Sequence, residues 1–351
     1  MVRVKEAAAE AITAVDSAAA ALVGRPDFTN AVVAKSKSQL KRAPLTGPTR
    51  FALAVVLSFA ISSLGRSFLS ILTKNELANI AKDSSNSWTG SLVTSAFKLF
   101  GLAVGWYGGY DGHDLAALTL LSHGPATLLV SVFYGIRSLT AGAYLAVEVL
   151  STFLPFLLLR QVSAAHSAAP GVPNQEIVAD RAIRMLTSLQ AGLVYSVVLY
   201  LASRTFLPTT LVVHFNGIPT IKPATDAAFL GFGSPTTQIL SLLFGLAARS
   251  FIFEPVVTTP ATSQDQEVAK FDPVNATLKQ TVAWNLWGYT TRSKVCIVRT
   301  SLAMLFTAVG TYLDTALAIN GVESYGAVTY AGIWVISALV TGLSLKYVGS
   351  I

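Results

Sequence analysis

The sequence has a single cysteine, Cys296, and few charged side chains. One cysteine excludes an intrachain disulfide, and the lack of a second thiol argues against a thiolate metal site. Asp, Glu, Lys and Arg make up 12% of the 351 residues, whereas soluble domains carry about 25%. With 52% hydrophobic residues and a mean hydropathy of +0.57, the composition indicates an integral membrane protein.

Several motifs that carry catalysis or cofactor binding are missing as well. No two histidines have the spacing of a helical zinc motif, and no loop holds an aspartate-rich run of the kind that binds magnesium diphosphate. The sequence has no phosphate-cradling glycine loop, no nucleotide fingerprint and no Gly-x-Ser-x-Gly motif. We therefore predict no metal, no cofactor, no diphosphate-ionising prenyltransferase and no ATP-driven transport by this chain.

What the sequence does have is a succession of apolar runs about 20 residues long, the length that a helix needs to cross a bilayer. Such runs favour a helical bundle over the weaker alternation of a membrane β-barrel. The predicted fold is an all-α, polytopic transmembrane bundle, preceded by a polar, partly helical tail at residues 1–48. The predicted spans, about eight in number, are 51–72, 88–107, 115–135, 139–159, 182–206, 227–253, 295–319 and 325–347.

Basic residues are concentrated in the amino-terminal tail and in two of the connections between spans. With an even number of spans, these three segments lie on one side, so the positive-inside rule places both termini in the cytoplasm. The net charge of +7 is then explained by loops facing anionic lipid rather than by a nucleic-acid partner. We expect a multi-pass protein of the endoplasmic reticulum or another endomembrane, with membrane lipid as its surroundings.

Two short segments recur along the chain. Leu57-Ser58 followed by Arg66-Ser67-Phe68 resembles Leu240-Ser241 followed by Arg249-Ser250-Phe251, and the segment 103–107 resembles 308–312. Five spans separate each pair, so the related helices would run in opposite directions, as in transporters built from inverted repeats. Chance matches are common in chains this rich in Ala, Leu, Ser and Gly. The two arginines are predicted to snorkel towards the membrane interface.

Glu148 lies in the middle of the fourth predicted span, within the apolar run 139–159. An ionised carboxylate at the centre of a bilayer costs about 2.5–3.5 kcal/mol, so it is expected to be paired, protonated or next to a wet cavity. Lys98 is also mid-span and is its predicted partner in a structural pair or polar path. A catalytic role of Glu148 as a general acid and a purely structural pairing both remain open.

Asp314, in the outer part of the seventh predicted span, is the second candidate acid. A neutral carboxylic acid in a dry pocket could protonate an alkene or an epoxide, although acids near helix ends are more often simply solvated. Aromatic side chains could stabilise a carbocation through cation–π attraction, but packing roles are commoner. The predicted substrate-binding aromatics are Phe133, Tyr134, Tyr144, Phe153 and Tyr312.

Just before the seventh span the chain reads Trp284-Asn285-Leu286-Trp287-Gly288-Tyr289, then Arg292-Ser293-Lys294 and Arg299-Thr300. In this juxtamembrane pattern, its length and its number of spans, the chain resembles multi-pass membrane proteins of fungal secondary-metabolite pathways, including the membrane terpene cyclases of indole-diterpene pathways. The resemblance implies protonation of an epoxidised prenyl chain by a buried carboxylic acid, without metal or diphosphate. It assigns no particular residue of this chain.

Three functions are consistent with these patterns. The first is a membrane enzyme for a lipophilic small-molecule substrate, most concretely acid-initiated terpenoid cyclisation with Glu148 or Asp314 as the proton donor. The second is a carrier or channel in which Lys98, Glu148 and Asp314 line a polar path. The third is a scaffold whose basic tail holds a cytosolic partner. A chamber beside Glu148 is required by the first.

Overall fold

The computed structural model describes residues 47–82, 88–167, 171–225, 234–272 and 276–349. The chain divides into two compact units, residues 1–52 and 53–351. Of the first unit only residues 47–52 are described, and they form the beginning of a long helix. The predicted polar tail at 1–48 therefore lies almost wholly outside the described residues.

Eight long helices form the framework of the described part of the chain, and the prediction of an all-α polytopic bundle is confirmed. Short helices in the connections are Gln175–Ala179, Leu207–His214, Lys222–Thr225, Ser263–Ala269 and Leu278–Trp287. No strand is present among the described residues, which hold two isolated bridges, Ala81 with Ile319 and Phe215 with Val322. The helices are α1 (Gly47–Leu72), α2 (Trp88–Tyr107), α3 (Gly112–Val132), α4 (Ser138–Leu159), α5 (Arg181–Arg204), α6 (Pro235–Thr258), α7 (Thr291–Leu317) and α8 (Ser324–Gly349).

Within the described ranges, seven of these helices are long and apolar enough to cross a membrane, close to the predicted number. The remaining helix, α2, is not among these seven and carries Lys98 in its middle. It runs beside α4 in the same direction, because Lys98 contacts Glu148 and the Arg160 guanidinium donates to the carbonyls of Gly105 and Trp106. Twenty residues of helix are about 30 Å long, enough to cross the hydrocarbon core.

Helix α3 continues through the Gly-Pro pair that the sequence marks as an interruption. Pro125 has no N–H, so the carbonyl of Leu121, four residues earlier, loses its partner within the helix. The Thr307 hydroxyl on α7 donates to that carbonyl at 3.3 Å, and the Tyr330 hydroxyl on α8 donates to the Pro125 carbonyl at 2.8 Å. The backbone carbonyl that Pro125 leaves without a helical partner thus finds one inside the bundle.

Close packing joins α5 to α6 and both helices to α8. Gly192 on α5 and Gly245 on α6 let the two backbones approach closely, since a Cβ atom added at Gly245 would lie 2.1 Å from the Ser188 carbonyl oxygen. Beside them Phe244 stacks on Tyr195 with ring centroids 5.1 Å apart and lies at the same distance from Trp334. These helices form a close-packed part of the bundle interior.

Connections place polar residues at both ends of the bundle. We call the end with residues 73–82, 133–137 and 318–323 the far end, and the end with residues 108–111, 160–166 and 259–265 the near end. At the far end Lys82 N–H donates to the Ala318 carbonyl and Asn320 N–H donates to the Ile80 carbonyl. At the near end Asp111 caps α3, with a capping box to Asp114. If the predicted orientation holds, the near end faces the cytoplasm.

Candidate functional site

A cavity of about 600 Å³ lies inside the bundle, between α1, α2, α3, α4 and α7. It extends from Leu102 and Leu115, well inside the bundle, to Lys82 and Ala318 at the far end. Its wall combines apolar side chains with many hydroxyl groups, among them Ser62, Thr94, Ser95, Thr119, Ser122 and Thr152. A membrane-embedded space lined by this many hydroxyls is suited to a polar or amphiphilic molecule.

Glu148 lies on the wall of this cavity and is bound by three side chains from two other helices. Its Oε1 accepts hydrogen bonds from Ser62 at 2.8 Å and from the Arg66 Nε at 2.7 Å, while its Oε2 accepts one from Lys98 Nζ at 3.1 Å. Lys98 also donates to the Ser151 hydroxyl at 2.8 Å. The predicted pairing with Lys98 is present, and Arg66, which was predicted to snorkel towards the interface, is a second cation bound to Glu148.

The two cations change the chemistry available to Glu148. Charge-assisted hydrogen bonds from Arg66 and Lys98 stabilise the carboxylate form over the neutral acid. The carboxylate is nearly enclosed, with 10% of its side chain exposed, whereas the Arg66 side chain is 58% exposed. Glu148 is therefore arranged as an anion that holds two cations in place, which is a poor starting point for donating a proton.

Asp314 lines the same cavity and forms a pair with His123, whose Nδ1 lies 2.5 Å from Asp314 Oδ2. The acid belongs to a π-helical turn, Leu313–Leu317, at the far end of α7, a local irregularity that often marks functional positions. The pair joins α3 to α7. Among the candidate residues, it has the arrangement best suited to moving a proton, because an imidazole and a carboxylate share one short contact.

A second cavity of about 320 Å³ adjoins the first. Arg66, His123, Glu148 and Asp314 line both cavities. The two charged pairs therefore lie at the boundary between the two spaces, which we call the partition, with α1 contributing Arg66 and α7 contributing Asp314.

The predicted aromatic residues do not gather around the acids. Tyr144 lines the smaller cavity, but Phe153 packs edge-on against His113 and the Tyr134 hydroxyl donates to the Asn216 carbonyl at the far end. Burial raises the pKa of Tyr134 to about 12. Phe133 is buried apart from the two cavities, and the Tyr312 hydroxyl contacts Ser324.

Aromatic residues other than the predicted ones line the larger cavity. Phe59, Phe97 and Phe306 line the larger cavity, and the Phe97 and Phe306 rings lie 5.3 Å apart. A signal for the α1 face was present in the sequence, because Phe59, Ser62 and Arg66 recur at helical spacing on one side of an otherwise apolar run. Polar residues that recur on one side of a transmembrane helix indicate that this side faces a water-filled space rather than lipid.

A second cluster of charges lies at the near end. His166 Nδ1 is 2.8 Å from Asp111 Oδ2 and its Nε2 is 3.2 Å from Glu254 Oε2, and Glu254 is also paired with Arg249. Burial opposes the charged forms, but these hydrogen bonds prevail: they raise the pKa of His166 to about 10 and hold the pKa of Asp111 well below its usual range. Arg249 is 4% exposed, so its predicted snorkelling is wrong.

Comparison of the chain with protein-family models, with curated proteins and with solved structures finds no match.

Proposed function

We propose that this multi-pass membrane protein is a carrier for a small organic anion, bound in the larger cavity beside Arg66 and Lys98. The observation that carries the proposal is the Glu148 cluster: a carboxylate and two cations on the wall of a hydroxyl-lined space inside a membrane bundle. Ionisable residues at this depth are costly and mark the paths of ions and substrates.

The charge balance of the cavity favours an anion over a cation or a neutral molecule. Arg66, Lys82 and Lys98 line it, against Glu148 and Asp314. A carboxylate or phosphate group on the solute would take the place of Glu148 as the partner of Lys98 and Arg66, since both cations have further donors. The hydroxyl groups of the cavity wall would accept hydrogen bonds from the rest of the solute or donate hydrogen bonds to it.

Rearrangement of the charged pairs at the partition is the conformational step that lets the solute move from one cavity to the other. When a solute competes for Arg66 and Lys98, the bonds that hold α1 and α2 to Glu148 weaken. The smaller cavity beyond the partition then becomes continuous with the larger one. The free energy of solute binding is in this way coupled to the opening of a path between the two cavities, as a carrier requires.

Acid-initiated terpenoid cyclisation is the second candidate, and one observation favours it. Asp314, Phe97 and Phe306 line the same cavity, so an acid and aromatic rings would face one substrate. In this case Asp314 with His123 would donate the proton, because Glu148 is held as an anion by its two cations. A lipophilic prenyl substrate would then occupy the space.

Ligand-induced thermal stabilisation of the purified full-length chain in lipid nanodiscs tests the carrier proposal. The probes are mono-, di- and tricarboxylates and sugar phosphates, with neutral polyols and an epoxidised prenyl alcohol as comparison. We expect an organic anion to stabilise the protein, by about 2.7 kcal/mol at a hundredfold excess over its dissociation constant. Uptake of the same labelled anion into proteoliposomes should follow.

Lys98→Gln should abolish stabilisation by the anion, and Arg204→Gln is its matched control. Arg204 ends α5 and lies over the Tyr200 ring, away from the cavity lining, so its loss should leave anion binding unchanged. Stabilisation by polyols alone, or equal binding by both variants, would contradict the proposal. Conversion of the epoxidised alcohol to a cyclic product, lost in Asp314→Asn, would favour the second candidate instead.

A further inference from the structure

Three metal-ligand side chains meet at the near end, apart from the two cavities. Asp111 and His113 flank the start of α3, and His166 belongs to the connection after α4. One ligand atom from each lies within 4.8 Å of the others. Asp111 and the His166 side chain are almost fully buried, at 2% and 5% exposure.

One ring nitrogen of His113 has no hydrogen-bond partner among the described residues. Its Nδ1 is buried and makes no hydrogen bond, although it lies 4.0 Å from Asp111 Oδ1. The ring is fixed between the His166 ring, 5.1 Å away, and the edge-on Phe153 ring at 5.3 Å. A buried polar atom without a partner destabilises the fold, and a bound cation between the two imidazoles and the carboxylate would supply that partner.

The surroundings orient the ligands in the way that metal sites require. Asp111 is held by the backbone N–H groups of Asp114 and Ser163, each at 2.9 Å. On the far side of the His166 ring, Nε2 faces the Ser250 carbonyl at 3.2 Å and Glu254 Oε2 at 3.2 Å. Metal-binding histidines generally donate their other N–H to a carbonyl or carboxylate, which fixes the tautomer.

We propose that Asp111, His113 and His166 bind a divalent transition-metal ion through one carboxylate oxygen and the two Nδ1 atoms. The hydrogen bond between Asp111 and His166 is replaced by a bond from each to the metal, and the proton on His166 Nδ1 is released to solvent. A fourth position remains for water. The partly exposed His113 ring, 43% exposed, gives the ion a way in.

The ligand set selects among metals. Two imidazoles and one carboxylate suit Zn²⁺ and its transition-metal neighbours, whereas Mg²⁺ and Ca²⁺ prefer all-oxygen sites. Tetrahedral ligands at 2.0–2.1 Å from Zn²⁺ are about 3.3 Å apart. His166 Nδ1 lies 2.8 Å from Asp111 Oδ2, and His113 Nδ1 lies 4.0 Å from Asp111 Oδ1. All three ligand atoms are within 4.8 Å of one another, so the side chains move closer together when they surround the ion.

The local spacing in the sequence did not show this site. His113 and Asp111 are two residues apart, but His166 joins them across the whole of α3 and α4. The prediction of no metal rested on motifs within one helix. The site is independent of the proposed carrier function, because none of its three ligands lines either cavity.

The test is Zn²⁺ binding to the full-length protein, stripped with EDTA and held in nanodiscs, measured by calorimetry and by metal analysis after dialysis. His113→Phe is the decisive variant, since it keeps an aromatic ring against Phe153 and removes the ring nitrogens, including the unpartnered Nδ1. His214→Phe is the matched control: that histidine also faces a carboxylate, Glu323 at 2.7 Å, and a tyrosine ring.

We expect one Zn²⁺ per chain in the wild type and in His214→Phe, with a rise in melting temperature, and loss of both in His113→Phe. Equal Zn²⁺ binding by wild type and His113→Phe, or no binding by wild type, would overturn the proposal. As a measurement that needs no variant, Co²⁺ bound to the wild type should give visible absorption bands of a tetrahedral nitrogen–oxygen site. A spectrum of octahedral, solvent-like Co²⁺ would contradict it.

Discussion

The wall that α1 and α2 build around the cavity differs from the interior formed by α5, α6 and α8. Only 11% of the membrane-length window of α1 is buried, compared with 72% for α6. In the interior, glycines and interlocking rings fix the helices by shape. Helix α1 is held at Glu148 by polar contacts from Ser62 and Arg66. Close packing resists displacement, whereas charge contacts can be exchanged for those of a solute.

The largest effect should come from breaking the shape-fitted region. Gly245→Val would place a Cβ atom against the Ser188 carbonyl, a backbone atom that cannot rotate away, so we expect a loss of about 3 kcal/mol or failure to fold. Gly142→Val is the control, because a Cβ at Gly142 meets nothing within 4 Å. Thermal unfolding and the yield of monodisperse protein measure the difference. Equal stability of the two variants would show that the interior is not close-packed.

A smaller loss is expected in the charge-held wall. Glu148→Gln leaves Lys98, whose side chain is 16% exposed, without its counter-ion. Removal of one partner of a fully buried pair costs about 3–5 kcal/mol, and the cost here should be below that range because the site reaches water. The double variant Glu148→Gln with Lys98→Gln should recover part of this loss, since no unpaired charge remains. Unfolding of the two single variants and the double variant forms a cycle. Strict additivity would mean that the two side chains do not interact.

The smallest change in stability is expected at Asp265, whose hydrogen bonds are partly exposed to solvent. Backbone N–H groups of Thr262 and Thr291 donate to Asp265 and lower its pKa. A lowered pKa in the folded state stabilises the protein above the unfolded-state pKa, and this contribution is lost as the pH falls through the folded-state pKa. Asp265→Asn should therefore flatten a slight fall in melting temperature below about pH 4. Identical pH profiles for the variant and the wild type would contradict this.

Helix positions could be predicted from the sequence because length and apolarity determine them. The pairing of Lys98 with Glu148 could also be predicted from the sequence, since opposite charges at the same depth in a membrane tend to pair. The sixth helix is described from Pro235, whereas the predicted span begins at 227, and residues 226–233 lie outside the described ranges. The orientation of the bundle and the compartment stay predictions.

Side-chain directions were much less predictable. A helix that is apolar on nearly every side gives no periodicity to show which face meets a neighbour, so Phe133 and Phe153 could not be distinguished from Phe97 and Phe306. The Asp111–His166 contact joins two connections 55 residues apart. Such contacts depend on how the helices are arranged, and no local pattern encodes that arrangement.

The recurring segments take on different surroundings in the fold. Arg66 and Arg249 each bind a glutamate, but Arg66 reaches Glu148 on another helix and Arg249 reaches Glu254 five residues further along its own. An inverted repeat would place the two arginines towards opposite ends of the bundle, and they do lie at the far and near sides respectively. The common origin of the two segments stays a prediction.

The short antiparallel bridge at the far end has a mechanical consequence. Lys82 and Ile80 are tied to Ala318 and Asn320 by two backbone hydrogen bonds, and Ala318 directly follows the π-helical turn that carries Asp314. Glu76, between α1 and this tie, also accepts hydrogen bonds from the Arg137 N–H and the Thr140 hydroxyl. The carboxyl-terminal side of α1 is thus anchored at two points, one of them a few residues after Asp314, so a tilt of α1 would move its amino-terminal half most.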